Sequence, residues 1–458
     1  MPHHKSHAEL IFDHALRFIQ PLRTTDGHAW AVIPDGPLTH HGEPIDSREF
    51  REWLATHFYH EHGIYPGRNA LTSAIHMLRA QATRTTAPAE HVFTRLGSRG
   101  PEAILLHLAN AAHEVLEITA AGSRLTTSPA WQFLTSAATS PLPRPIPSDL
   151  TVLQHLRAML PFPDPVLHRA AIWLFAAMRP SGPYPTLVIT GPEDGANSTL
   201  ARALRNLIDP TSSLLTVPNT ERALHTCALH HHVLAFQQVD SLPTKMSAAL
   251  AALASGTGVG FYSGNPFDDH KPIPLARPII LTADSAPRTF AANSIHIRLQ
   301  TITEENVLTE TARATFLGSL ATAVSAALAS GHTDIRRWTI AAAAQLGLTT
   351  ADIEAVFTTT PLVEAIQMLL ATEPTWTGTP TELLTDLRAQ GFDIARTPQA
   401  LSQLLNITPL AQFGIESDHT WTHKSRQIRL HLTAPTQSPK IRVGTPQSQA
   451  LTHANSCT

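Results

Sequence analysis

Residues 191–199 read GPEDGANST, a glycine-bearing loop that ends in the hydroxyl pair Ser198 and Thr199. In the pattern G-x-x-x-x-G-K-[ST], backbone N–H groups wrap phosphates, the lysine brings a full positive charge, and the hydroxyl holds magnesium. The chemistry would be phosphoryl transfer from a nucleotide. Laid on that pattern, Gly191 is the first glycine, Gly195 lies inside the loop, Ala196 takes the second glycine position and Asn197 takes the lysine position.

Sliding the pattern does not recover the charge, because no lysine occurs between Lys5 and Lys245. An amide donates hydrogen bonds without net charge, whereas a unit charge pair at about 4 Å is worth about 4 kcal/mol at an effective dielectric near 20. Glu193 and Asp194 make the loop acidic, and the nearest cations, Arg202 and Arg205, sit in the segment that follows. What remains for an anion is Ser198, Thr199 and the N–H groups of a helix start.

The elements that must hold this loop are legible around it. TLVIT (186–190) reads as a strand and LARALRNLI (200–208) as a helix. VLAFQQVD (233–240) and RPIILTA (277–283) are further apolar β-type runs bounded by turns. Continuous apolar runs separated by helical stretches predict a parallel α/β sheet.

Residues 1–138 combine an amphipathic stretch (47–63), the helical run NALTSAIHMLRAQA and the strand-like AILLHLANAAHEVLEIT, which predicts an N-terminal α+β domain. SPLPRPIPSD (140–149) is proline-dense, and 139–149 reads as a semi-rigid linker. The α/β core is expected over 150–304 and an alanine-rich helical extension over 305–358. Residues 359–434 show three helices and a hairpin, the order of a winged helix. The polar tail, 435–458, is expected to be disordered.

With 43% hydrophobic residues in 458, the chain can build several cores. No apolar stretch in the sequence approaches the roughly twenty residues of a membrane span, and MPHHKSHAELIFDH lacks the layout of a signal peptide. The expectation is a cytoplasmic protein with no membrane partner. Cys227 and Cys457 offer neither a disulfide framework nor zinc spacing. A net charge of −3 gives no global field for nucleic acid, so DNA contact needs a local patch.

His57 and Glu61 stand four apart, with His60 and His62 beside them, which raises a metal hypothesis. Without a second ligand cluster they read as surface histidines at the solvated end of an amphipathic helix, and no metal is expected. His230, His231 and His232 read as loop residues leading into a buried strand.

Three segments in order, GPYPTLVITGPEDGANSTLARALRNLIDP, HHHVLAFQQVDSLPTKMSAALAALASGTG and LARPIILTA, resemble the ATPase core of phage, plasmid and prophage replication proteins of the primase-helicase type. WTGTPTELL with TPQALSQLL resembles their winged-helix end, and FREWLATHFYHEHG their N-terminal region. The resemblance implies a P-loop NTPase core, AAA-like or superfamily III-like, ring assembly, ATP with magnesium, and DNA translocation in replication. Carried over residue by residue, the catalytic positions are degenerate. The acid that closes the VLAF strand falls on Gln237, the polar sensor on Thr282 and the inter-subunit arginine on Asn293, with Arg288 as a stand-in. Asp240 is the nearby substitute for the missing acid.

TPQALSQLLNITPLAQFG (397–414) holds no Lys or Arg, so it is a poor reader of DNA, whose phosphates dominate affinity. Lys424, Arg426 and Arg429 on the expected hairpin form the DNA-binding candidate, with a solvated hairpin face as the equal alternative. The first reading is a pseudo-ATPase acting as a homo-oligomeric, partner-binding or DNA-binding component. The alternatives are a working ATP-dependent helicase or translocase with a site rebuilt from Ser198, Thr199, Asp240 and a neighbour's arginine, and a winged-helix DNA-binding regulator.

Overall fold

The computed structural model describes residues 5–25, 27–34, 40–84, 87–127, 130–135, 139–191, 196–239, 241–257, 275–284, 293–299, 308–358, 361–390, 392, 394–408, 410, 415–421 and 426–432. Among the described residues it is a mixed α/β structure with one parallel sheet and three antiparallel sheets. The chain divides into two compact units, Met1–Pro361 and Leu362–Thr458.

The first unit opens with α1 (His7–Phe18), capped by Ser6 and Glu9 in a reciprocal box. The antiparallel sheet β1 (Gln20–Arg23), β2 (Ala29–Pro34) and β3 (His40–Pro44) follows. Next come α2 (Arg48–His62) and α3 (Arg68–Arg84). The amphipathic stretch reads true at both ends of α2: Ser47 accepts from the Phe50 N–H, and Gly63 closes the helix in the left-handed region. Ile11, Ile33, Phe50, Leu54, Phe58, Leu71 and Leu78 form this part's own core.

The strand-like stretch 103–119 is two strands, β5 (Ala103–His107) and β6 (Val115–Thr119), inside an antiparallel meander with β4 (Leu96–Arg99) and β7 (Gly122–Thr126). Ala109 and His113 take positive φ between them, a turn without the usual glycine or proline signal. The meander does not close on itself. Leu96, Ile104, Leu116 and Ile118 share one core with residues of the helices and strands downstream of 150.

The proline-dense stretch runs along that shared core. Ser140 donates its N–H to the Pro210 carbonyl, buried Leu142 to the Leu108 carbonyl, and Ile146 to the Ala314 carbonyl. It is a strap bound on both sides, and Gly318 lets it approach closely, since any Cβ there would run into the Ile146 carbonyl.

Beyond the strap lie α4 (Val152–Met159), α5 (Asp164–Ala177), β8 (Thr186–Thr190), α6 (Ala196–Ile208), α7 (Glu221–His230), β9 (Leu234–Phe236), α8 (Thr244–Ser255), β10 (Ile279–Ala283) and β11 (Ser294–Arg298). The four strands are parallel, in the order β11-β8-β10-β9. Leu187, Ile189, Ala235 and Ile280 face α5 and α6, whereas Val188, Leu234, Phe236 and Leu281 face Leu224 of α7 and Met246 and Leu250 of α8. Burial on both faces is why these strands read as unbroken apolar runs.

Four helices complete the unit, α9 (Glu310–Ala329), α10 (Ile335–Ala341), α11 (Ala343–Leu346) and α12 (Thr350–Thr358). α9 corrects one expectation, because by length and composition it could cross a membrane. Half of it is buried here, with Phe316, Leu317, Leu320 and Val324 in the shared core.

The second unit holds α13 (Pro361–Thr372), β12 (Thr375–Gly378), α14 (Pro380–Ala389), α15 (Pro398–Ile407), β13 (Ile415–Trp421) and β14 (Arg426–Leu432). The expected hairpin is β13 and β14, and β12 adds to its other side, giving the antiparallel order β12-β14-β13. Leu383, Leu387, Leu401, Leu405, Ile415, Ile428 and Leu430 form its core. Trp376 donates its indole N–H to Asp386, tying β12 to α14. The tail after 432 lies outside the described residues.

Candidate nucleotide site

All four strands of the parallel sheet end at one edge. Open α/β sheets bind ligands just outside that carboxyl edge, where the connections from neighbouring strands diverge. The chain leaves β8, reaches β9 on the far side of β10, and later adds β11 on the other flank of β8. The end of β8 is therefore such a divergence, and the sequence puts GPEDGANST there.

Thr190 closes β8 in register with Ala283 of β10 and Arg298 of β11. A Cβ on Gly191 would stand 3.1 Å from the Leu299 Cβ and 3.2 Å from its carbonyl oxygen, so packing of the chain beyond β11 favours glycine here. Residues 192–195, including Glu193, Asp194 and Gly195, lie outside the described residues.

α6 begins with Ala196 and Asn197 buried, Ser198 half-buried and Thr199 exposed. The Asn197 amide turns inward. Its Nδ2 donates to the Ala283 carbonyl at 3.4 Å and its Oδ1 accepts the Ser198 N–H at 2.7 Å. The side chain fastens the helix start to the end of β10 and takes up one of the N–H groups a helix start would otherwise turn toward an anion.

The other positions carried over from the resemblance also have local work. Gln237 is half-buried just past β9 and donates its N–H to the Leu215 carbonyl. Thr282 is fully buried. Its Oγ1 accepts the Gln238 N–H at 3.2 Å and its carbonyl accepts the Val239 N–H at 2.7 Å. That hydroxyl holds the turn after β9, where Gln238 takes a φ of 54°. Asp240 and Arg288 lie outside the described residues. Asn293 sits at the opposite edge, donating its Nδ2 to the Tyr184 carbonyl at 3.2 Å just before β8.

Of the two arginines on α6, Arg202 is exposed and Arg205 is 1% exposed. Arg205 is no cation for the loop: it lies toward the far end of the helix, giving Nη1 to the Ser213 carbonyl. Burial, with Arg95 close by, lowers its pKa despite Asp209. Asp209 receives Arg95 Nε at 3.0 Å and the N–H groups of His232 and Val233. Burial works against its charge, yet Arg95 and Arg205 hold its carboxyl below the ordinary value. His232 is buried and brings Nε2 within 2.9 Å of the Ala177 carbonyl. Burial, with Arg277 nearby, lowers it to about 4, so it stays neutral. This network, which joins the meander, the strap and the start of β9, was missed in sequence because its central pair, Arg95 and Asp209, lies 114 residues apart.

Sequence reasoning also passed over two charged groups at the carboxyl edge, Arg298 and the exposed Asp284, one residue beyond β10. Only the sheet order reveals that they share an edge with Gly191. Of the positions that the resemblance gives to the loop lysine and the strand-end acid, the first holds an inward-turned amide and the second the half-buried Gln237.

In the second unit, Arg429 is exposed on β14 and stands opposite Asp418 of β13. Arg426 begins β14, paired with Trp421, and Lys424 lies outside the described residues.

The chain has low-similarity structural neighbours. The A-form apo structure of the NrS-1 C-terminal region matches over 93% of this chain and 99% of that one, at 10% identity and a TM-score of 0.35. A further apo structure of that region covers 94% and 100%, at 10% identity and a TM-score of 0.32. A full-length MCM homologue from Methanopyrus kandleri covers 68% and 88%, at 12% identity and a TM-score of 0.29. No protein-family model matches the chain, and no curated protein sequence does. At such TM-scores it is the geometry of the chain's own sheet edge that carries the functional reading.

Proposed function

We propose that the protein is a homologue of mobile-element replication ATPases of the P-loop type whose nucleotide site has become structural, and that it acts as an assembly, partner-binding or DNA-binding component. The observation that carries this reading is the position of Asn197. At the place of the loop lysine stands an amide that bonds Ala283 and Ser198, so it neither faces a phosphate nor leaves the Ser198 N–H to one. A lysine there would be the main attractive charge for the β- and γ-phosphates.

The parallel sheet with its divergence at β8, and the helix starting directly after the loop, support descent from a P-loop core. The order α13, β12, α14, α15, β13, β14 supports a winged helix in the second unit. The exposed Arg429 on its hairpin favours that edge, rather than the cation-free α15, for DNA.

A second reading, residual ATPase activity from a rebuilt site, is favoured by one observation, the exposed carboxylate Asp284 at the same edge. Restoring Asn197→Lys together with Gln237→Asp separates the readings. A core that kept its shape regains binding of ATP with magnesium in the double variant. Failure to regain it, in a variant that still folds, overturns the assignment of the loop.

A further inference from the structure

The structure brings to the α2 histidines a partner that residue spacing does not announce. His14 of α1, its side chain 1% exposed, lies with Nε2 3.0 Å from His57 Nδ1. Its Nδ1 is 3.2 Å from Glu61 Oε2 and 3.3 Å from His62 Nε2. Donor atoms of His14, His57 and Glu61 all fall within 4.8 Å of one another. Around an ion bound at about 2.0–2.1 Å, tetrahedral ligand atoms stand about 3.3–3.4 Å apart, so modest side-chain rotations would close this set on a metal.

We propose that His14, His57 and Glu61 form a binding site for a divalent transition metal of the zinc class, clamping α1 to the end of α2. Two imidazoles and a carboxylate suit such an ion better than magnesium or calcium, which favour oxygen ligands. A cation of the chain itself borders these groups. Arg17 pairs with Glu61 and brings Nη2 to 3.1 Å from His14 Nδ1. A guanidinium only donates, so His14 Nδ1 is the acceptor and its proton rests on Nε2, directed at His57 Nδ1. The guanidinium supplies positive charge of the kind a metal would bring, and the Nε2 proton stands where the ion would bind.

Metal binding exchanges those charges without loss of a ring proton. The ion takes His14 Nε2, His57 Nδ1 and an oxygen of Glu61, while the His14 proton moves to Nδ1. There His62 Nε2 accepts it, the outer-shell bond that orients a metal-bound imidazole. Arg17, 54% exposed, swings into water.

The test is calorimetric titration of the chelator-stripped full chain with zinc alone, followed by cobalt(II) absorption to read the ligand field. One saturable equivalent is expected above the background of a chain holding 27 histidines. His57→Gln and Glu61→Gln should each weaken it at least about tenfold, whereas His60→Gln should leave it unchanged. Arg17→Gln should tighten it, because the competing cation is gone. Glu61→Gln alters a partly exposed carboxylate and serves if His57→Gln fails to fold. Absence of a saturable equivalent, or one that survives Glu61→Gln at full affinity, overturns the site.

Discussion

Asn197 Nδ2 lies 3.4 Å from the carbonyl oxygen of Ala283, joining the first turn of α6 to the end of a strand 86 residues further on. This contact makes Asn197 a rivet between helix and sheet. Asn197→Ala should cost about 1 kcal/mol, the usual net worth of a hydrogen bond lost in a buried setting. Urea denaturation measures it, and a variant as stable as the parent would deny the side chain this role.

His232 supplies a pH dependence. Burial, with Arg277 nearby, lowers its imidazole to about 4, against about 6.5 in an unfolded chain. The unfolded state takes the proton first, so the contribution is full above pH 6.5 and is lost as pH falls toward 4. The span corresponds to about 3 kcal/mol at most. His232→Gln should flatten the stability profile between those limits, and a profile as steep as the parent's would contradict the account.

Gly318 tests the strap. Alanine there would press on the Ile146 carbonyl, and overpacking of this kind costs about 1–3 kcal/mol. Gly318→Ala should make residues 139–149 more open to proteolysis than they are in the parent. Equal cleavage of parent and variant would mean that the strap is not held by α9.

Legibility in the sequence followed distance along the chain. Ser47 and Gly63 bound α2 through bonds to residues within four positions, and TLVIT is β8 to the residue, because both signals are local. The hairpin at 103–119 was read as one strand because Ala109 and His113 make a positive-φ turn without glycine or proline, its one local signal being Asn110, which accepts the Glu114 N–H. Arg205 passed for a loop cation because its helix spacing does not announce that it points into the core. Asn197 could be read as a missing charge, but not as a bond to Ala283. His57 and Glu61 could be read as a helix face, but His14, 43 residues earlier in α1, could not be placed beside them.

DNA contact through β13 and β14 is testable by salt dependence. Arg426→Ala with Arg429→Ala should weaken duplex binding across sequences and lower the slope of log affinity against log salt by about one per lost phosphate contact. Duplex binding with an unchanged slope would place the contact elsewhere, and loss at one sequence alone would favour a sequence-reading regulator.

Equilibrium titration of the purified chain with ATP and magnesium, with turnover followed in the same samples, tests most directly the proposal that the nucleotide site has lost its chemistry. The account predicts no saturable binding in the micromolar range and no hydrolysis above the protein-free rate. Micromolar binding with turnover, abolished by Ser198→Ala and Thr199→Ala together, would contradict it.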